Sequence, residues 1–296
     1  MTQAKGNSLY KDASKRLFKN KASLISAIII VATSLIAVFA EWIAPFPFDK
    51  QDVTNMYQSF GYPHILGTDG LGRDMLSRLI HGAQVSMAVG FFTSIVSLIM
   101  GIIYGAISGW FGGAVDSLMM RFVDLIYAIP TLVLLILVMV IFNSFDIFDD
   151  PKYKALTGIF LALTVVGWVG VARLVRGQVL QTKEMLYVEA AQSIGVSSFS
   201  IILRHILPNI LGPIIVTLTF QIPSNILFES FLSFIGLGLQ PPYSSWGVLA
   251  NDGWRAIRTY PHLIIAPGVA LYVVILAFNL LGDGLRDAFD PQLKNR

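Results

Sequence analysis

The sequence predicts an all-helical integral membrane protein with six transmembrane helices, and three observations carry that prediction. Hydrophobic residues make up 55% of the chain and charged residues 13%, with a mean hydropathy of +0.68, far from the balance of a soluble domain. Six intervals hold no Asp, Glu, Lys, Arg or His: 24–40, 85–115, 125–145, 155–172, 206–228 and 263–282. Most approach the roughly 20 residues needed to cross about 30 Å of hydrocarbon. Their apolar character is continuous rather than alternating, which fits helices and not barrel strands.

Basic residues set the expected orientation. With the N-terminus inside, segments 1–23, 116–124, 173–205 and 283–296 hold 14 of the 21 Lys and Arg residues. Lys11, Lys15, Arg16, Lys19 and Lys21 directly precede the first span, so both termini and the 173–205 loop are expected on the cytoplasmic face. The first span runs on to Glu41-Trp42-Ile43-Ala44-Pro45 without a small-residue cleavage pattern and reads as a retained helix. The chain has no cysteine, so disulfides and thiolate metal sites are excluded. The formal charge of +3 is accounted for by topology, without a nucleic-acid partner.

Segment 1–23, with Leu9, Tyr10, Leu17 and Phe18 among basic residues, is expected to be an amphipathic stretch on the inner surface. One membrane domain follows over 24–290, with an outer loop at 41–84, a cytoplasmic loop at 173–205 and an outer segment at 224–262; a short cytoplasmic tail, 291–296, closes the chain. In the outer loop, Asp74 is placed to cap a helix running through Leu76, Leu79 and Ile80 into the second span. Gly109-Trp110-Phe111-Gly112-Gly113 is expected as the inner turn after that span. Gly90, Gly101 and Gly105 give the span small surfaces for close packing. Pro223 is expected to end or kink the fifth crossing, leaving Asn225–Gly236 as a short re-entrant or interfacial helix.

In the cytoplasmic loop, Lys183–Ile194 is expected as a helix capped by Thr182 and stopped by Gly195 in the left-handed conformation. A second helix is expected from Ser197 or Ser198, with Pro208 in the first turns of span five. Leu186, Ala190 and Ile194 share a face at spacing four, with Tyr187 and Ala191 beside them and Glu189 pointing away. From spacing alone, a loop packing on its own helices is slightly favoured over a docking surface.

Glu189-Ala190-Ala191, then Gly195, then Ile206-Leu207-Pro208 resembles the cytoplasmic signature of ABC importer permeases. That family's pattern places isoleucine three residues before the proline, where this chain has His205; Arg204-His205-Ile206-Leu207-Pro208-Asn209 is similar to the oligopeptide, dipeptide and nickel branch. The segments His64–Asp74, Phe228–Gly238 with Trp246-Gly247, and Phe278–Asp287 resemble the same branch, specifically its C-type subunit. The resemblance implies a type I importer permease fold in a bacterial cytoplasmic (inner) membrane, and a coupling helix in the 173–205 loop. It also implies a homologous B-type permease, two ABC ATPase subunits that bind ATP and magnesium, and an external peptide-binding protein. On this basis Lys183, Tyr187, Glu189, Ala190, Ala191, Gly195 and Arg204 are the expected ATPase-coupling residues. Asp69, Arg73, Asp74 and Glu229 are candidates for an outer gate or for contact with the binding protein.

Plainer readings stand beside these. Glu229 reads first as a helix-surface carboxylate near water. Asp116, Arg121 and Asp124 read as a local ion-pair network, and Asn279 as a hydrogen bond across helices. Asp283, Arg286 and Asp287 read as a solvated helix end. No Walker A loop is present, so ATP is hydrolysed elsewhere, and His64, His81, His205 and His262 lack metal-ligand spacing; no catalytic residue and no metal or other cofactor of the chain's own is expected. Import of nickel or another small solute is the alternative within the branch. An ATP-independent secondary transporter or a membrane scaffold is the alternative outside it.

Overall fold

The computed structural model describes residues 16–17 and 19–289. Most of the amphipathic stretch expected in 1–23, including Leu9, Tyr10 and Phe18, and the tail 291–296 lie outside the described residues. Helix α1 spans Lys21–Val38, its first amides accepted by the Asn20 side chain, and a short turn, α2, spans Ala40–Ile43. Helix α3 runs Met75–Phe111 and is capped by Asp74, whose carboxylate accepts from the Ser77 amide. It ends where Gly112 and Gly113 both take positive φ, so the expected turn falls there.

Helices α4, Gly113–Ala128, and α5, Thr131–Asn143, meet at 89°. Pro130 holds the preceding Ile129 extended at φ −91°, ψ 128° and has no amide to continue the ladder. Helix α6, Pro151–Lys183, starts with Asp150 as cap and proline in its first turn. The loop that follows contains α7, Leu186–Ser193, and α8, Ser198–Ile201. A π turn over Ile202–Ile206 leads into α9, Leu207–Phe234. Helix α10, Trp246–Arg255, precedes α11, His262–Phe289. Among the described residues five helices are long and apolar enough to cross a membrane, and the bent α4–α5 pair counts as a sixth when taken as one span.

The expected break at Pro223 does not occur: α9 runs unbroken through Pro213 and Pro223. Ile222, Pro223, Asn225, Ile226 and Glu229 are all buried, so packing offsets the one hydrogen bond the proline removes, a tolerance common in membrane helices. The helix stops instead at Gly236, φ +87°, with the Leu237 amide returning to the Leu232 carbonyl at 2.9 Å.

A glycine stripe sets the central contact. A methyl at Gly101 would lie 2.5 Å from the Val171 Cβ, one at Gly105 2.4 Å from the Ala172 carbonyl, and one at Gly109 2.9 Å from the Arg176 carbonyl. The backbones of α3 and α6 therefore approach as closely as small residues allow. Gly90 does the same for Ile226 of α9.

Contacts between distant segments sort the bundle into two ends. At one end, Lys183 reaches the Trp110 carbonyl, Gly212 faces Phe289 and Gly284 faces Ser23. This end therefore gathers the start of α1, the ends of α3, α6 and α11, the start of α9, and α7; it is called the loop end below. At the opposite end, Arg78 of α3 meets Asp252 of α10 and Gly253 abuts Leu263 of α11.

Candidate functional site

At the loop end, helix α6 continues to Lys183 and the loop helix begins only at Leu186. The expected Thr182 cap is therefore corrected: Thr182 is buried within α6 and its hydroxyl donates to the Gln178 carbonyl at 2.7 Å. Met185 stands at the cap position without a side-chain bond. Lys183 donates to the Trp110 carbonyl at 2.6 Å and sits 5.5 Å from the Trp110 ring centre, so it ties the loop to α3.

Helix α7 is pinned by one face and bare on the other. Val188 and Ala191 are buried in a cluster with Val175, Val179, Ile201 and Ile206. Leu186 is 82% exposed, Ile194 81% and Phe199 of α8 74%, and Ala190 and Glu189 are exposed beside them. Ala191, expected near the Leu186–Ala190–Ile194 stripe, thus belongs to the anchoring face. Tyr187 is partly exposed, and its hydroxyl accepts from Asn209 at 3.1 Å. Gly195 takes φ +81°, and the Val196 amide returns to the Ala191 carbonyl at 3.1 Å, which closes the turn as expected. Ser197 caps α8. Arg204 is exposed in the π turn.

Ion pairs brace the same end. Arg176 donates through Nε and Nη2 to the two oxygens of Asp116 at 2.5 and 2.6 Å, a fork geometry. Arg173 pairs with Asp124 and lies 4.0 Å from the Tyr127 ring centre. The network expected among Asp116, Arg121 and Asp124 is corrected: the arginines come from α6, because α4 packs across α6 through Val123, Trp168 and Ala172. Asp283, Arg286 and Asp287 are exposed at the end of α11.

At the opposite end Glu229 is fully buried, which overturns the reading of a surface carboxylate near water. Its Oε2 accepts from Ser86 at 2.7 Å and Ser230 at 3.3 Å, and its Oε1 from Ser233 at 2.8 Å. The Ser86 hydroxyl also accepts from the Trp246 amide at 3.3 Å, so one carboxylate joins α3, α9 and α10. Deeper in the bundle, Asn225 donates to Ser94 at 2.8 Å and Gln221 to the Gly167 carbonyl at 3.0 Å. These residues carry cross-helix bonds of the kind expected of Asn279, whose side chain makes none among the described residues.

Asp69, Arg73 and Asp74, the candidates for an outer gate or binding-protein contact, are likewise buried, and their side chains bond within the opposite end. Asp69 Oδ1 accepts from the Leu71 and Arg73 amides at 2.8 and 3.0 Å. Its Oδ2 accepts from Arg73 Nε at 2.7 Å and Arg78 Nη1 at 2.6 Å. Arg78 Nη1 also reaches Asp252 at 3.2 Å. Asp74 accepts from the Ser77 amide and hydroxyl, both at 2.7 Å, and pairs with His64 at 2.9 Å. At the rim, Asp52 accepts from the Thr54 hydroxyl and amide and from Asn55, hydrogen bonds that hold its carboxyl below the usual carboxylate range. Arg78 had a sequence signal, a lone charge at the head of an apolar helix. Asp252, 174 residues away, had none.

The chain is a multi-pass helical membrane bundle with a short helix at one end that is anchored by one face and exposed on the other. Residues 101–295 match the family described as binding-protein-dependent transport system inner membrane component, and residues 8–59 match the N-terminal TM domain of oligopeptide transport permease C. The chain belongs to this permease family of ABC transporters; it is a transport component of the inner membrane and not an enzyme.

It is 43% identical over 293 residues to the oligopeptide transport system permease protein OppC of Haemophilus influenzae, covering 98% of this chain and 91% of that one. The OppC of Bacillus subtilis is 40% identical, with 98% and 92% covered. The dipeptide transport system permease protein DppC of Bacillus subtilis is 41% identical, with 96% and 86% covered. Among solved structures, the inward-facing MetNI methionine ABC transporter matches with a TM-score of 0.54 at 16% identity, over 73% of this chain and 98% of that one. At that identity the likeness speaks for the fold.

Proposed function

We propose that this chain is the C-type permease of an ATP-driven importer of oligopeptides or dipeptides, lining half of the path beside a homologous B-type permease. Two ABC ATPases, which hold ATP and magnesium, dock on the loop end, and an external peptide-binding protein delivers cargo to the opposite end. The peptide assignment rests on the similarity to permeases named for peptide transport.

The observation that carries the mechanism is the bare face of α7. Burying Val188 and Ala191 fixes the helix on α6, while Leu186, Ala190, Ile194 and nearby Phe199 leave an apolar surface with no cover among the described residues. Apolar side chains so exposed at a polar end fit a groove on a partner. Glu189, Tyr187 and Arg204 supply a polar rim, and Gly195 holds the angle of the helix. Closure of the ATPases on ATP pushes this helix, and the rigid link from α7 through α6 to α3 carries the motion into the path.

The basic residues support an orientation with both termini in the cytoplasm: segments 1–23, 116–124, 173–205 and 283–296 hold 14 of the 21 Lys and Arg residues of the sequence. Glu229 of α9 is buried and accepts from three serines, which weighs against its use in ion coupling by a secondary transporter. The test is uptake of a labelled oligopeptide into proteoliposomes holding the assembled complex. Uptake that requires both internal ATP and the binding protein supports the proposal; uptake without ATP overturns it.

A further inference from the structure

One face in the middle of the bundle is unlike the outward faces around it. In α1 over 24–38, α3 over 92–107 and α5 over 132–141 every exposed residue is apolar, as contact with lipid tails requires. In α9 the one exposed residue between 212 and 226 is a serine, Ser224. Thr217 and Gln221 precede it at spacings of four and three, so they share its face, and both are half-buried. With Gly167 and Gly170 of α6 they line an open cleft of about 270 Å³ that has no charged residue on its wall. Polar side chains at this depth face the bundle interior or a water-filled cavity.

Two further features mark the same face. Gly167 is small because its neighbours press on it: a methyl there would lie 2.6 Å from Ser97 Oγ and 2.9 Å from Gln221 Nε2. Gly170 has no such reason. It is exposed, and a methyl would meet only the end of the Tyr127 side chain, its Oη at 3.2 Å. Glycine inside a helix is less stable than alanine, and no packing among the described residues calls for it at 170. One turn nearer the loop end the same face of α6 carries Arg173, in an exposed pair with Asp124. The Thr217 and Ser224 hydroxyls donate to the Pro213 and Phe220 carbonyls, each at 2.8 Å, which leaves their oxygens free to accept.

We propose that this cleft is where the chain lines the path: the Thr217 and Ser224 oxygens accept from backbone amides of the passing peptide, and Gly170 keeps the bore open. An uncharged wall that meets the backbone makes no demand on cargo side chains, so residue 170 selects by size and not by charge. This role rests on the importer reading above and adds to it the wall residues and the basis of size selection.

The chain has no cysteine, so single cysteines report the wall directly in an assembled complex whose other subunits are cysteine-free. Ser224→Cys is expected to react with a charged, water-soluble methanethiosulfonate about tenfold faster than Val133→Cys on the apolar face of α5. Gly170→Leu is expected to abolish ATP-dependent uptake of the longest peptide the native complex imports, while its shortest cargo still enters. Ser224→Trp carries the size test if that variant fails to assemble. A Ser224→Cys no more reactive than Val133→Cys places the face against lipid or a partner subunit and overturns the proposal. Native uptake of both peptides by the bulky variant, or equal loss of both, would also overturn it. ATP-dependent uptake by the native complex tests the importer reading separately, so failure here leaves that reading intact.

Discussion

At the scale of single residues, the loop turn and the buried carboxylate make opposite demands. Gly195 has open space around it, so a substitution there is felt only through its φ of +81°. Gly195→Ala is expected to cost about 1–2 kcal/mol in the turn and to weaken binding of the ATPase subunits, measured by titration of purified subunits. Gly195→Asn, which tolerates that region, is expected to be milder. Glu229 is the reverse case, fixed by its partners. Ser86→Ala takes a donor from Glu229 and an acceptor from Trp246, at a cost on the order of 1–3 kcal/mol, read as a lower thermal unfolding midpoint in detergent. An unchanged midpoint would contradict the three-helix joint. Gly195 was legible because a glycine after a periodic run has one common use. Glu229 was not, because an acid near the end of an apolar run reads as a surface carboxylate until Ser86 of α3 is brought beside Ser230 and Ser233 of its own helix.

At the scale of elements, two prolines in apolar stretches obey the same local rule with different outcomes. Around Pro130 few side chains are buried, Val123 on α4 and Leu135 and Met139 on α5, so nothing holds the helix straight and it bends. Around Pro223 the helix is packed on α3, and it stays continuous. Sequence shows the lost amide but not the packing that offsets it. The glycine stripe of α3 is the converse, legible from spacing and realised as a backbone contact. Gly105→Ala is expected to destabilise the bundle by about 1–3 kcal/mol, since its methyl meets backbone at 2.4 Å. Gly177→Ala on the facing helix has nothing within 4 Å and is expected to leave the unfolding midpoint unchanged.

At the scale of the whole molecule, the six crossings and their order were readable from uncharged runs and basic flanks. The ion-pair network between Arg78 and Asp252 depends on tertiary closure and was not. The absence of cysteine makes orientation directly testable. Ile194→Cys is expected to react with an impermeant maleimide only from the cytoplasmic side, and Tyr62→Cys, fully exposed, only from outside; the reverse pattern would invert the topology. The central claim is that the bare face of α7 couples ATP hydrolysis to transport. Its most direct measurement is ATP-driven peptide uptake in proteoliposomes by complexes carrying Leu186→Glu or Ile194→Glu, changes on exposed side chains that leave Val188 and Ala191 in place. Loss of uptake and of transport-stimulated ATP hydrolysis, with the permease pair still folded, is the expected result, whereas native uptake by both variants would contradict it.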